Sequence, residues 1–215
     1  MMPPSASERP TRAFFEGNTP ELARRLLGCT LWHRTPEGLC AGRIVETEAY
    51  CGETDAACHS YTRRAPNGRT SVMYGPAGFA YVYLIYGMHC CMNVVSAPEG
   101  APEAVLIRAL EPTEGIALMR ARRAKAKTDA ALCSGPGKLC AALGIDRGCY
   151  GLDLLGDTLF LTVGEPLPEA RIGVSPRIGV AYAGEDALRP WRFFEKDNPN
   201  VSKPAGSGAV PRQKR

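Results

Sequence analysis

Residues 46–50, Glu-Thr-Glu-Ala-Tyr, set two carboxylates and a phenol at alternate positions. In a regular β-strand, residues i, i+2 and i+4 project to one face, so Glu46, Glu48 and Tyr50 share it. Water is a poor nucleophile at neutral pH, and a positioned carboxylate that takes its proton is worth about 10²–10⁴-fold in rate. His59, Tyr83 and Tyr86 follow within forty residues. Flat rings of this kind stack on nucleobases at about 1–3 kcal/mol each. Between them lies a loop with Arg63, Arg64 and Arg69, and guanidinium groups suit phosphate oxygens. The combination fits a pocket for a flat, neutral or cationic ring beside a polyanion. A glycosidase acting on sugars needs two carboxyls flanking the bond at about 5–9.5 Å. Glu46 and Glu48 project in parallel instead, so Glu46 reads as structural. The residues alone leave open whether Glu48 acts on water or pairs with Arg108.

Arg108 sits inside the apolar run Glu103–Leu110, which reads as a buried strand. A charge there needs a partner, because an unpaired buried ion is very costly. The other elements that must hold these groups follow from pattern. Arg43–Tyr50 and Phe79–Ile85 are strand-like, the second rich in aromatic and β-branched residues. Tyr86-Gly87-Met88-His89 reads as a hairpin tip, with a return strand from Cys90 to Val95 carrying Asn93. Thr19–Gly28 reads as a short helix capped by Thr19, with Pro20 in its first turn and Gly28 at its end. Cys29–Arg34 reads as a strand turned by residues 36–38 into the central one. Pro112–Lys127 reads as a helix whose second half is basic, either a solvated face or a stripe for a DNA backbone. Residues 133–139, Cys-Ser-Gly-Pro-Gly-Lys-Leu, precede a short apolar helix ending near Gly144. Lys138 stands at its start, where phosphate can bind, but the spacing is not that of a Walker loop.

The 215 residues suit one domain with a substantial core. Residues 1–12 read as a disordered lead and 203–215 as a flexible basic tail, leaving 13–202 as the domain. The N-terminal stretch lacks the apolar core of a secretion signal, and no run of eighteen apolar residues suggests a membrane span. A cytoplasmic, monomeric protein is expected. The net charge of +4 is a weak argument for nucleic acid by itself. Nine cysteines without a CxxC pair read as reduced thiols. The spacing of Cys51, Cys58 and His59 does not match the usual zinc fingers, and neither a metal nor a cofactor is expected.

Several ordered words across about residues 12–202 resemble the alkyladenine (3-methyladenine) DNA glycosylase family. They include residues 45–50 (VETEAY), Asp55–Ala57 leading to His59, residues 81–88 (YVYLIYGM) with Met92-Asn93, residues 106–112 (LIRALEP), Ser134-Gly135-Pro136, Lys138-Leu139 and Ala183-Gly184-Glu185. Both tails fall outside it, and Cys51 stands where the family pattern leads us to expect a bulky aliphatic side chain. The resemblance implies an α+β fold, a single mixed domain with a curved, open-barrel-like antiparallel sheet surrounded by helices. It implies hydrolysis of the N-glycosidic bond of alkylated or deaminated purines in double-stranded DNA, leaving an abasic site.

Residue by residue, the resemblance makes Glu48 the catalytic base, with Arg108 beside it. It puts Tyr50 on one face of the damaged base and His59 with Tyr83 on the other. Tyr86 would enter the gap left by an extruded nucleotide, with Met88 next to it, and Asn93 would exclude the 2-amino group of guanine. Arg63, Arg64, Arg69 and Lys138 are the candidate phosphate contacts. Alternatives are a damaged-DNA binding module that does not cut and a hydrolase of free nucleosides.

Overall fold

The computed structural model describes residues 9–62 and 68–202. Its centre is the thirteen-residue strand β2, Gly38–Tyr50. β1 (Thr30–Thr35), β3 (Ala80–Ile85), β4 (His89–Ser96), β5 (Glu103–Glu114) and β6 (Leu159–Thr162) extend the sheet in the order β3-β4-β5-β2-β1-β6. β7 (Ile172–Ser175) and β8 (Arg192–Glu195) complete eight strands, with β8 pairing to both β7 and β2. All pairings are antiparallel and the sheet does not close.

β2 changes partner along one edge. Its first half pairs with β1, as in Thr30 opposite Arg43, and its second half with β8, as in Glu46 opposite Phe194. Register against β5 slips between Ile44 and Glu46 and again between Glu46 and Thr47. Such bulges bend a strand and re-aim its side chains. Beyond them the alternation is regular, and it divides the sheet into two faces. Ala49, Ala80, Val82, Met92, Val94, Val105 and Ile107 join the main core with Leu22 of α2 (Thr19–Arg25), Leu26 at its C-terminal cap, and Leu139 and Leu143 of α4 (Pro136–Leu143). Their neighbours in sequence face the other way and are left for a cleft.

The predicted strands and the hairpin are present, and two elements differ from the sequence expectation. α2 is capped by Asn18, whose side chain accepts from the Glu21 N–H at 3.0 Å. Thr19 is instead buried, its hydroxyl held by Ser96 and Glu103 from the sheet. The helix expected from Pro112 begins later: β5 runs through Pro112 to Glu114, and α3 covers only Ile116–Arg122. Pro112 sits opposite Gly42 at a register slip, where its missing N–H is tolerated. At the other end, Arg9 donates to the Gly156 carbonyl and Arg12 to Ala77 and Asp153, so the last residues of the expected lead are fastened to the body. Residues 1–8 and the tail 203–215 lie outside the described residues. Among the described residues no helix is long and apolar enough to cross a membrane.

Gly115 makes the β5–α3 turn with φ +70°, and a Cβ there would run into the Leu39 carbonyl oxygen. Gly115→Ala is expected to cost about 2–3 kcal/mol from left-handed strain plus displaced backbone. Urea denaturation measures it, and an unchanged midpoint would contradict this account of the turn.

Candidate active site

One row of residues crosses four strands on the face away from the helices. Glu48 lies opposite Leu106, Leu106 opposite Asn93, and Asn93 opposite Tyr81. Tyr50 and Ala104 flank it on one side, and Arg108, Cys91, Tyr83 and Ile85 on the other. All of these but Glu48, together with Ala57–His59, Met73, Pro136-Gly137, Ile178–Val180 and Tyr182, line a cleft of about 600 Å³. Glu48 is wholly buried immediately beneath this lining, bonded to three cleft residues.

Arg108 lies between the two carboxylates. Its Nε donates to Glu46 Oε1 at 2.9 Å, and its Nη1 lies 3.2 Å from Glu48 Oε2. Burial works against the Arg108 charge, but Glu48 and Glu46 outweigh it and raise the guanidinium above its ordinary value. A carboxylate offers about four lone-pair sites. Glu46 takes four donors, three on Oε1 and one on Oε2: Arg108 Nε, Arg192 Nε at 2.7 Å and the Ser202 hydroxyl at 2.8 Å on Oε1, and the Ser202 amide at 2.6 Å on Oε2. Glu48 takes the Tyr50 hydroxyl at 2.9 Å and Arg108 on Oε2, and the Ile178 amide at 2.7 Å on Oε1. One acceptor position on Glu48 therefore stays available for a water. The structural role expected of Glu46 and the ion pair expected of Arg108 coexist with an under-saturated Glu48.

The aromatic walls are fixed by polar contacts. His59 Nδ1 and the Tyr81 hydroxyl are 2.8 Å apart. The His59 ring meets Tyr83 edge to face, with centroids 4.6 Å apart and planes at 78°. Burial and the Glu48 charge both push the Tyr50 phenol well above its usual range, so it stays protonated and donates. Asn93 lines the cleft while its amide donates to the Tyr81 carbonyl at 3.0 Å. Tyr86 stands on the β3–β4 hairpin tip, 84% exposed with φ +54°, and Met88 is 72% exposed beside it. An extended side chain in left-handed backbone, pointed at solvent, is an uncommon arrangement for tyrosine.

The segment 176–182 carries groups the sequence did not single out. Arg177 is buried and pairs with Asp55 at 2.5 and 2.8 Å, Ile178 supplies the amide to Glu48, and Tyr182 donates to the Ala57 carbonyl at 3.2 Å. Its Gly/Pro-rich composition gave no period to read. Tyr81 and Ser202 were likewise not singled out, and only their place in the fold reveals them.

Comparison with known proteins follows the same lines. A methylpurine-DNA glycosylase family model matches residues 13–199. The chain belongs to that family. A relative from Methanocella arvoryzae is 50% identical over 194 residues, covering 90% of this chain and 96% of its own. Relatives from Bacillus cereus strain G9842 and Bacillus cytotoxicus are 48% and 46% identical, covering 89% and 88% of this chain and 97% of their own. All three carry the name "Putative 3-methyladenine DNA glycosylase". Membership assigns the chain to the DNA glycosylases, proteins of DNA-damage repair.

Two of the candidate phosphate contacts of this glycosylase, Arg69 and Lys138, lie among the described residues. Arg69 is exposed, with its guanidinium 6.0 Å from the Tyr83 ring centroid, and Lys138 is exposed near Ser134. Arg63 and Arg64 lie outside the described residues. In the basic stretch, Arg120 pairs with Asp129, Arg122 with Glu37, and Arg123 with the Ala131 and Leu132 carbonyls. These three cations hold local structure. Cys51 does not line the cleft; its amide donates to Asp55. Among the described residues no three His, Cys, Asp or Glu side chains converge as a metal site.

Burial raises the Glu46 carboxyl, but Arg108, Arg192 and the Ser202 amide outweigh it and hold it below the usual carboxylate range. A depressed carboxyl stabilises the fold above its unfolded value, about 4.3, and loses that contribution as pH falls through the folded value. Glu46→Gln is therefore expected to cost about 3–5 kcal/mol near neutral pH, the usual loss on breaking a buried pair. The gap to the unaltered protein should narrow in acid. Urea unfolding across pH tests this, and a pH-independent gap would contradict it.

Proposed function

We propose that this glycosylase is monofunctional, extruding an alkylated or deaminated purine from duplex DNA and hydrolysing its N-glycosidic bond. The substrates we propose are of the 3-methyladenine, 7-methylguanine, hypoxanthine and ethenoadenine class. The observation that carries this is Glu48: a buried carboxylate, one acceptor site short of saturation, directly beneath an aromatic cleft.

The extruded base lies against Tyr50 on one side and the His59–Tyr83 pair on the other. Because those two rings are nearly perpendicular, a flat base parallel to one meets the edge of the other. Electron-rich rings attract a cationic alkylated purine more than a neutral one, and such a purine also leaves more readily. Glu48 then takes the proton of the attacking water as positive charge develops on the sugar. Arg108 and the Tyr50 hydroxyl hold one oxygen of the carboxylate and the Ile178 amide holds the other, which keeps it aimed. Asn93, on the cleft floor, disfavours guanine by opposing its 2-amino group with its own amide. Among the described residues the cleft lining includes no lysine, hence no amine from them for a Schiff base, which supports hydrolysis without strand cleavage. Exposed Tyr86 and Met88 suit entry into the stack, where replacing lost stacking offsets the cost of extrusion.

A duplex with one hypoxanthine or ethenoadenine should yield alkali-labile sites, while free nucleosides stay inert. Glu48→Gln should retain binding to lesion DNA and lose about 10²–10⁴-fold in single-turnover release. Wild-type binding without any release would leave a binding module in place of an enzyme. Tyr86→Ala should weaken lesion-DNA affinity about tenfold, within the range of one stacking contact, and slow bond breaking at saturating enzyme far less. Unaltered affinity would remove the wedge role.

A further inference from the structure

Two walls of the cleft come from distant parts of the chain, residues 50–59 and 176–182, and Arg177 joins them from behind, while the Tyr182 hydroxyl on the Ala57 carbonyl joins them at the cleft. Arg177 is buried, with Nη1 on Asp55 Oδ2 at 2.5 Å and on the Ala49 carbonyl at 2.9 Å. Nη2 reaches Asp55 Oδ1 at 2.8 Å and the Asp186 carbonyl at 3.0 Å. Asp55 is equally buried, and its carboxylate also takes the Cys51 and Ala57 amides, which shapes the loop leading to His59. The Arg177 Cζ lies over the Tyr50 ring at 4.8 Å and over the Trp191 ring at 5.0 Å. Its Nε is the one buried side-chain polar atom without a hydrogen-bond partner among the described residues. So the guanidinium is held by its two outer nitrogens and by ring faces. The next residue, Ile178, donates its amide to Glu48.

We propose that Arg177 is a positioning residue for base excision, one that backs the Tyr50 ring and fixes the Ile178 amide on Glu48. The inference rests on the glycosylase function proposed above. It goes beyond stability, because the ion pair stands behind the ring that stacks and carries the amide that aims the base. Lysine keeps a charge for Asp55 but loses the planar fork and the ring contact. An error of about 1 Å in such a site can cost about 10²-fold in rate.

The experiment compares wild type, Arg177→Lys, Asp55→Asn and the double variant on a duplex containing one hypoxanthine, with enzyme in excess and below every melting temperature. We expect each single variant to release base about 10–100-fold more slowly at saturation, with affinity for undamaged duplex within about twofold of wild type. The double variant should be no slower than the slower single, because both changes break one link. A pair that only stabilises the fold would lower the melting temperature and leave the rate of folded enzyme alone; that result overturns the proposal. If Arg177→Lys does not fold, Asp55→Asn decides, and failure of both to fold marks a stability element and also overturns it. An inert wild type sinks the glycosylase function and this inference together, whereas an active wild type with full-rate variants sinks the inference alone.

Discussion

The site depends on one buried arginine shared by two carboxylates. Neither Glu46, Glu48 nor Arg108 would be tolerable alone where it stands, since a buried charge without a partner is several kcal/mol unfavourable. Together they are mutually compensated, but not equally. Glu46 receives four donors from Arg108, Arg192 and Ser202, while Glu48 receives three. The proposed function gives the two carboxylates separate tasks. Glu46, held by two arginines, fixes the cluster, and Glu48 has an acceptor site left beneath the cleft. A replacement of the cluster by apolar residues could satisfy packing but would leave nothing to take a proton.

The sheet makes this arrangement possible. Bulges around Glu46 let β2 leave β1 and take up β8, which brings Arg192 opposite Glu48 and next to Glu46. Beyond the bulges, strict alternation separates an apolar face packed on α2 and α4 from a polar and aromatic face. Rigid strands therefore carry the groups that need accuracy: Glu48, Tyr50, Tyr83, Asn93 and Arg108. The groups suited to meeting a large partner sit on the hairpin tip, where Tyr86 and Met88 are exposed. The proposed function uses that exposed aromatic and thioether for insertion into a stacked duplex.

Much of this was legible in the sequence because period-2 patterning is local. The strands around Glu48, Tyr83, Asn93 and Arg108 could be read from it, and an arginine within an apolar run announced its own carboxylate partner. Family resemblance pointed to the same residues. What was not legible depends on distant contacts. Arg177 and Asp55 are separated by 122 positions, and nothing near either residue indicates the other. Thr19 has the chemistry of a helix cap, yet the sheet takes its hydroxyl and leaves the cap to Asn18. Pro112 has the look of a helix start, yet a register slip lets a strand run through it. In each case a tertiary partner outcompeted a sound local preference.

The central claim separates filling the cleft from cutting the bond, and ethenoadenine allows both to be followed, because its fluorescence responds to unstacking. Stopped-flow mixing of an ethenoadenine duplex with Glu48→Gln protein is the most direct measurement. The account predicts a rapid fluorescence change that persists, with the modified base still attached to the strand. Release of the base at the wild-type rate would contradict it, and so would a complex in which the base never leaves the stack.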